Sequence, residues 1–484
     1  MKYIIGIDQS TQGTKAILFD EEGAIVKRAD VHHRQIVNEQ GWVSHDPEEI
    51  YGNVLQSARQ VVEAAGIPKE QIQAVGISNQ RETTLCWDQG GKPLAHAVVW
   101  QCSRAWHIAE RLQEHGGEIY GKTGLPLSAY FPAAKMAWLM EHAVPQAPKG
   151  TRLHFGTIDC WLVYRLTEGE AFKTDYSNAS RTQLFDLHKL AWDRELCDLF
   201  GVPMESLPEV CDSDSCFGYT DFGGYLEEKI PITAVLGDSH GALFGQGCHE
   251  SGMVKATYGT GSSVMMHIGR EFVPSRHGLA TSLAWGIGGQ VEYVLEGNIN
   301  YTGAVVTWLK EDMGLITSPR ETEDLALRAN PADQTILVPA FTGLSAPYWK
   351  DEARALLTGM SRTTGRREIV RAALDSIAFQ ITDVLKAMEQ DSGCQLGSLR
   401  VDGGPTGNAY LMQVQSDLAE VTVHVSGQEE LSAIGAAYLA GIRAGLYQKE
   451  KLFAGMQYRQ YEPAMPQETR EEKYAAWRRA VKMT

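Results

Sequence analysis

Two stretches of one design, placed in opposite halves of the chain, constrain the fold most. Y-I-I-G-I-D-Q-S-T-Q-G-T-K-A-I-L-F-D, from Tyr3 to Asp20, and V-K-A-T-Y-G-T-G-S-S-V-M-M-H-I, from Val254 to Ile268, both read as strand, Gly/Ser/Thr turn, strand. Asp8 sits at the mouth of the first turn. Turns of this composition are rich in amides and hydroxyls and poor in bulk, which suits a polyphosphate gripped from both sides. A repeated hairpin implies an internal duplication, with a boundary in G-C-H-E-S-G, from Gly247 to Gly252. The chain is therefore expected to divide into residues 1–247 and 248–484, since 484 residues exceed what a single core usually serves.

A third segment gives the hairpins a chemical purpose. V-L-G-D-S-H-G-A-L-F-G-Q-G, from Val235 to Gly247, sets a lone carboxylate, Asp238, between an apolar strand and a helix of small residues. A carboxylate held there can take a proton from a substrate hydroxyl. Elsewhere, apolar strands alternate with amphipathic helices, the pattern of an α/β architecture. A stripe from Ile369 to Met388 predicts a core-facing helix ended by Ser392-Gly393. L-R-V-D-G-G-P-T-G-N predicts a strand ending at Asp402 and a glycine loop entering a helix near Asn408, a favourable seat for a nucleotide. The Gly-, Asp- and Glu-rich stretch from Asp212 to Lys229 reads as an exposed excursion.

The formal net charge of −16 argues against nucleic acid as a partner and requires any anionic cofactor to be held locally, by amides and a metal ion. Asp8 interrupts the first apolar run, so no signal-peptide core is read, and no stretch nears the ~18 apolar residues of a membrane span. Eight scattered cysteines without C-x-x-C indicate reduced thiols in the cytoplasm. Cys211 and Cys216 lack a second pair to complete a metal site, and Cys248 with His249 is not needed to explain Asp238.

Y-F-P-A-A-K-M-A-W-L-M-E-H (Tyr130 to His142) and A-L-L-T-G-M-S-R-T-T-G-R-R-E-I-V-R-A-A-L-D (Ala355 to Asp375) have the form of two family signatures. G-I-S-N-Q-R-E-T-T, V-V-W-Q-C, D-Y-S-N-A-S-R-T, V-P-A-F-T-G-L-S-A-P-Y-W and Y-A-A-W-R-R-A-V-K complete a pattern that runs the length of the chain. It resembles the FGGY carbohydrate kinases of the sugar kinase, Hsp70 and actin superfamily, and within them the glycerol kinases. The resemblance implies two ribonuclease H-like domains of α/β class around a central cleft. It also implies ATP- and Mg²⁺-dependent phosphorylation of a terminal hydroxyl of a small polyol or sugar. By resemblance Asp238 is the general base and Asp8 helps hold Mg²⁺. Arg81, Glu82, Trp100, Tyr130 and Ser239 fall at polyol-pocket positions in the N-terminal domain. Thr11, Gln12, Gly13, Lys15, Thr260, Gly303, Gly404 and Asn408 fall at nucleotide positions, with the C-terminal domain as the nucleotide-binding one.

These residue types suit the chemistry. Arg81 and Glu82 offer a donor fork and an acceptor for vicinal hydroxyls, and Trp100 an apolar face for C–H groups. Taken singly they read otherwise: Arg81-Glu82 as a surface ion pair, Trp100 and Tyr130 as core or rim aromatics, Asp8 as a turn cap. His240 reads as a structural neighbour of Asp238. Four residues depart from the glycerol kinase pattern: Ser239 for glutamine, Ser263 for phenylalanine, Ser10 for glycine and Thr307 for glutamine. The first two leave more room and more hydroxyls beside Asp238, so a tetritol, pentitol or pentulose is an alternative substrate. Residues 212–229 also lack the Gly-Arg-rich character of the segment where some glycerol kinases bind a sugar bisphosphate inhibitor. An actin-like binding ATPase is the alternative of another class, and a homodimer the default assembly.

Overall fold

The computed structural model describes residues 1–484 and contains two large mixed sheets of one plan. In the first half, β1 (Tyr3–Gln9), β2 (Gly13–Phe19) and β3 (Ile25–His32) form an antiparallel meander. β4 (Ile72–Asn79) lies parallel to β1, β6 (Ile230–Gly237) lies parallel to β4, and β5 (Gly218–Thr220) closes the edge antiparallel. In the second half, β7 (Val254–Tyr258), β8 (Ser262–Gly269) and β10 (Gln290–Ile299) repeat the meander, with β9 (Ala280–Ile287) outside it. β11 (Ser398–Asp402) lies parallel to β7, β12 (Thr422–Ser426) parallel to β11, and β13 (Tyr458–Tyr461) antiparallel at the edge. The duplication expected from the hairpins extends through the parallel strands and their antiparallel edge.

Helices cover both sheets because each sheet buries apolar residues on two faces. α1 (Pro47–Ala65) starts at Asp46, whose side chain accepts from the Glu48 amide, and buries Ile50, Val54, Ala58 and Val61 over the first sheet. α4 (Arg366–Ser392), the predicted long stripe, crosses the second sheet and ends at Gly393 in the left-handed region. α2 (Asp238–Gly245) and α6 (Leu431–Arg443) fill the space between the sheets, while α3 (Gly303–Glu311) and α5 (Ala409–Ala419) pack against α4 in the second-half core. One core unites Ile4 and Leu236 of the first sheet, Leu243 and Ile434 of the two helices, and Met265 and Val294 of the second sheet. The helices approach through glycines: a Cβ on Gly241 would stand 2.8 Å from the Ser432 carbonyl oxygen, and one on Gly435 would run into the Gly241 carbonyl.

One expectation is overturned. Residues 212–229 are not an exposed excursion: they supply β5, and Phe217 and Phe222 are buried in the first-half core. Turn-type residues between these aromatics, with Gly218, Gly223 and Gly224 at positive φ, hide the buried positions from a composition-based reading.

Candidate active site

The β1–β2 turn, the loop after β4, the start of α2 and the β7–β8 turn converge on a cleft of about 680 Å³. Thr11 and Gln12 line it from the first turn and Thr260 from the second, with Arg81, Glu82, Trp100, Tyr130, Asp238 and Ser239 between them. A neighbouring hollow of about 870 Å³ shares Thr257 and is lined by Asp8, Lys15, Asp402, Gly403, Gly404 and the start of α6. Gly403 has φ +99, and a Cβ there would meet the Tyr258 carbonyl, so the strand-to-loop bend of β11 requires glycine.

Three of the expected nucleotide residues line neither space. Gly13 faces the Val31 carbonyl, 2.7 Å from where a Cβ would stand. Gly303 donates its amide to Gly259 O at 2.9 Å and so braces the β7–β8 turn. Asn408 caps α5, accepting from Leu411 N, and gives its Nδ2 to Thr322 Oγ1. These three residues brace the backbone behind the two spaces and do not line them.

Arg81 and Glu82 are buried and do not pair with each other, which overturns the surface ion pair. The Arg81 fork is committed to protein groups: Nε donates to Asp238 Oδ1 at 3.0 Å, Nη1 and Nη2 donate to Glu296 at 3.0 and 2.9 Å, and Nη2 reaches Ser239 Oγ at 3.1 Å. Glu82, at φ +58, accepts from Arg181 Nε at 2.7 Å. Arg181 Nη1 stands 2.7 Å from Glu296 Oε2, an ion pair angled poorly for a hydrogen bond. Ser263 Oγ donates to Glu296 Oε1 at 3.1 Å. Burial alone would raise the pKa of Glu296, but Arg181 and Arg81 outweigh it and hold the group far below the carboxylate range. Ser239 and Ser263, the two departures beside the expected polyol positions, thus both attach to one buried arginine–glutamate cluster.

That cluster fixes the candidate base. Asp238 receives Arg81 Nε and its neighbour's amide, Ser239 N, on Oδ1, while its side chain stays 37% exposed to the cleft. Trp100 donates Nε1 to Thr11 Oγ1 at 2.9 Å and meets Tyr130 edge-on, ring centroids 5.7 Å apart. His240 is buried with both ring nitrogens unpartnered; burial, reinforced by Arg81, holds its pKa well below the usual value, so it stays neutral.

Asp8 fits a cation that arrives with phosphates. It is buried, receives Ser78 Oγ at 3.2 Å, and is pushed up to about 7 by burial, with Asp238 and Glu430 adding to the rise against Lys15. No group of three or more His, Cys, Asp or Glu side chains could hold a metal ion alone. One carboxylate plus substrate phosphates is the usual seat of Mg²⁺. Lys15 itself is paired with Glu430, the residue before α6, which also binds Arg28 Nη1 at 2.7 Å.

Sequence reasoning missed Glu296, Arg181 and Lys255. Arg181 lay inside the quoted D-Y-S-N-A-S-R-T segment, and Glu296 is a lone acid in the apolar run Y-V-L-E-G. Lys255 is fully buried in β7, with Nζ 3.2 Å from Thr257 Oγ1 and 3.4 Å from Ser263 Oγ.

Two family models, the N-terminal and C-terminal domains of the FGGY family of carbohydrate kinases, match residues 3–245 and 254–444. The chain belongs to this family. It is an ATP-dependent carbohydrate or polyol kinase, and the family's ATP is used with Mg²⁺. Glycerol kinase 1 of Thermotoga maritima is 46% identical, with 99% of each chain covered. The glycerol kinase of Caldanaerobacter subterraneus subsp. tengcongensis is 45% identical over 99% of this chain and 98% of that one. Among solved structures, Plasmodium falciparum glycerol kinase with ADP superposes with a TM-score of 0.93 at 35% identity, covering 100% and 98%. A ligand-bound xylulose kinase from Lactobacillus acidophilus shares the fold, with a TM-score of 0.88 at 21% identity and coverage of 100% and 97%.

Proposed function

We propose that this kinase phosphorylates a terminal hydroxyl of a small polyol, with glycerol the first to test and Asp238 the general base. One observation carries the reading: Asp238 is clamped through Oδ1 by Arg81 and the Ser239 amide, which leaves Oδ2 to the cleft between the two hairpins. The likeness to two glycerol kinases over nearly the full chain supports glycerol.

In this mechanism Glu82, Trp100 and Tyr130 flank the alcohol while Asp238 accepts its proton. The alcohol oxygen forms a bond to the γ-phosphorus, the bridging P–O bond breaks, and ADP leaves with the electron pair. Phosphoryl transfer needs positioning and charge neutralisation more than covalent help, and the amides and hydroxyls of Thr11, Gln12 and Thr260 can cradle the phosphates. Asp8 would help hold the Mg²⁺ that accompanies ATP, which when bound would neutralise phosphate charge.

Residues 1–247 would then carry the alcohol and the base, and residues 248–484 most of the nucleotide. A cytoplasmic homodimer completes the proposal, and the net charge of −16 speaks against a nucleic-acid partner. No helix is long and apolar enough to cross a membrane. Coupled measurement of ADP release with and without alcohols tests the reaction. Release that depends on an added polyol supports it, whereas release indifferent to every alcohol describes an ATPase and contradicts it.

A further inference from the structure

The polyol site does not end at the arginine–glutamate cluster. A side chamber of about 220 Å³ opens off the main cleft, and the two share Tyr130, Asn298 and Asn300 as a common wall. Strand register settles which residues face it. Glu296 turns toward Arg81, so Asn298, two residues along β10, lies on the same face. Ser263 is directly opposite Asn298 on β8, and Ala280 is directly opposite Glu296 on β9, so both share that face. The chamber wall therefore presents the small Ala280 and a carboxamide that can both donate and accept, while Ser263 lines the main cleft beside them. A CHOH unit occupies roughly the volume of a water molecule, ~30 Å³, so the chamber has room for two more carbons beyond a three-carbon chain.

The charge of the site narrows the ligand further. Arg81 is matched by Glu296 and Asp238, and Arg181 by Glu82 and Glu296. Arg81 is fully engaged by Glu296, Asp238 and Ser239, whereas Arg181, which lines the chamber, keeps Nη1 without a hydrogen bond; the carboxylates of Glu296 and Asp351 on the same wall would repel a substrate carboxylate or phosphate.

Resting on the reading of Asp238 as base in a polyol kinase, we infer that the substrate is an uncharged polyol or ketose of four or five carbons. Its reacting end lies at Asp238, and its distal hydroxyls are bound in the chamber by Asn298, with Asn300 at the entrance. Asn298 is thereby a specificity-determining residue and not a catalytic one.

The test is kcat/KM for glycerol, tetritols, pentitols, pentuloses and the corresponding aldonates, in the wild type, Asn298→Leu and Ala280→Leu. The first variant removes the polar ends at similar size, and the second fills the chamber from the opposite strand. At least one uncharged four- or five-carbon substrate should equal or surpass glycerol in the wild type. Each variant should lower the long-substrate to glycerol ratio about tenfold or more, through KM more than kcat. Because the wild-type panel needs no variant to fold, the inference can fail on it alone. A tenfold preference for glycerol, a preference for aldonates, or ratios unmoved in both variants overturns the inference and leaves the kinase reading standing. No alcohol-dependent ADP release at all overturns both.

Discussion

The carboxylate of Glu296, on β10 of the second half, receives both terminal nitrogens of Arg81, on the loop after β4 of the first, at 3.0 and 2.9 Å. The bond spans the two halves of the duplication and orients the guanidinium whose Nε holds Asp238. The candidate base is thus aligned by a residue on the opposite wall of the cleft.

Glu296→Gln should therefore weaken both fold and activity. The change leaves Arg81 and Arg181 buried without their shared countercharge, and losing one partner of a buried pair costs roughly 3–5 kcal/mol. Thermal denaturation should show a drop of several degrees, with kcat reduced more than ATP binding. A Tm and kcat equal to those of the wild type would show that the cluster neither supports the fold nor positions Asp238.

Glu430 competes for Lys15 with any phosphate that approaches it. It pairs with Lys15 and Arg28 at the start of α6, and Lys15 lines the hollow next to Asp8. Glu430→Gln should lower the KM for ATP severalfold at low salt, with the gain shrinking as ionic strength rises, while Lys15→Met should raise it. Identical KM values for ATP in all three proteins would remove Lys15 from the nucleotide site.

The α2–α6 contact leaves no room for a methyl group. Gly435→Ala would drive a Cβ into the Gly241 backbone and force apart the helices that seat Asp238. Overpacking typically costs 1–3 kcal/mol, and a backbone partner has no rotamer by which to yield. Gly445→Ala is a poor control because Gly445 adopts positive φ, whereas Gly117→Ala meets open space and should be nearly neutral. Equal melting temperatures for Gly435→Ala and Gly117→Ala would contradict the close approach.

Two buried histidines should each contribute an acid-labile share of stability below neutrality. Burial lowers His45 to about 3, with His33 adding to the effect, and lowers His249 to about 3, with Lys449 contributing. Between pH 3 and the ordinary histidine value near 6.5 the unfolded chain binds protons that the folded chain refuses. Their share of stability thus rises with pH across that window and is lost as pH falls through it, by up to ~1.4 kcal/mol per pH unit for each histidine. Urea titrations at pH 6.5 and 5 should show that share as a difference in pH slope between the wild type and His45→Asn, the variant losing less on acidification. Asp8, raised to about 7, and Asp159, raised to about 6, take up protons in the fold over part of the same window and oppose the loss, so the deciding comparison is between proteins: a pH slope identical in the wild type and His45→Asn would contradict neutral burial of that ring.

Local patterns made the fold legible. Alternating and continuous apolar runs with small turns between them revealed both hairpins, and helical spacing revealed α4 to its last turn. The strand leading to Asp402, its glycine loop and the helix capped by Asn408 were equally plain. The partners of the site were not. Arg81 finds Glu296 across 215 positions, and Glu82 finds Arg181 across 99, so neither pairing leaves a local mark. The buried aromatics of residues 212–229 were masked for a related reason: glycines at positive φ turn the chain between contacts that only the folded core supplies.

The most direct measurement is single-turnover formation of ADP in the presence of a polyol substrate, compared between the wild type and Asp238→Asn, alongside nucleotide binding by each. Loss of a general base typically costs 10²- to 10⁴-fold in rate. The account predicts a loss of about that size in the variant, with ATP affinity near the wild-type value and any polyol-independent ADP release unchanged. Phosphoryl transfer to the polyol at the wild-type rate in Asp238→Asn would contradict it.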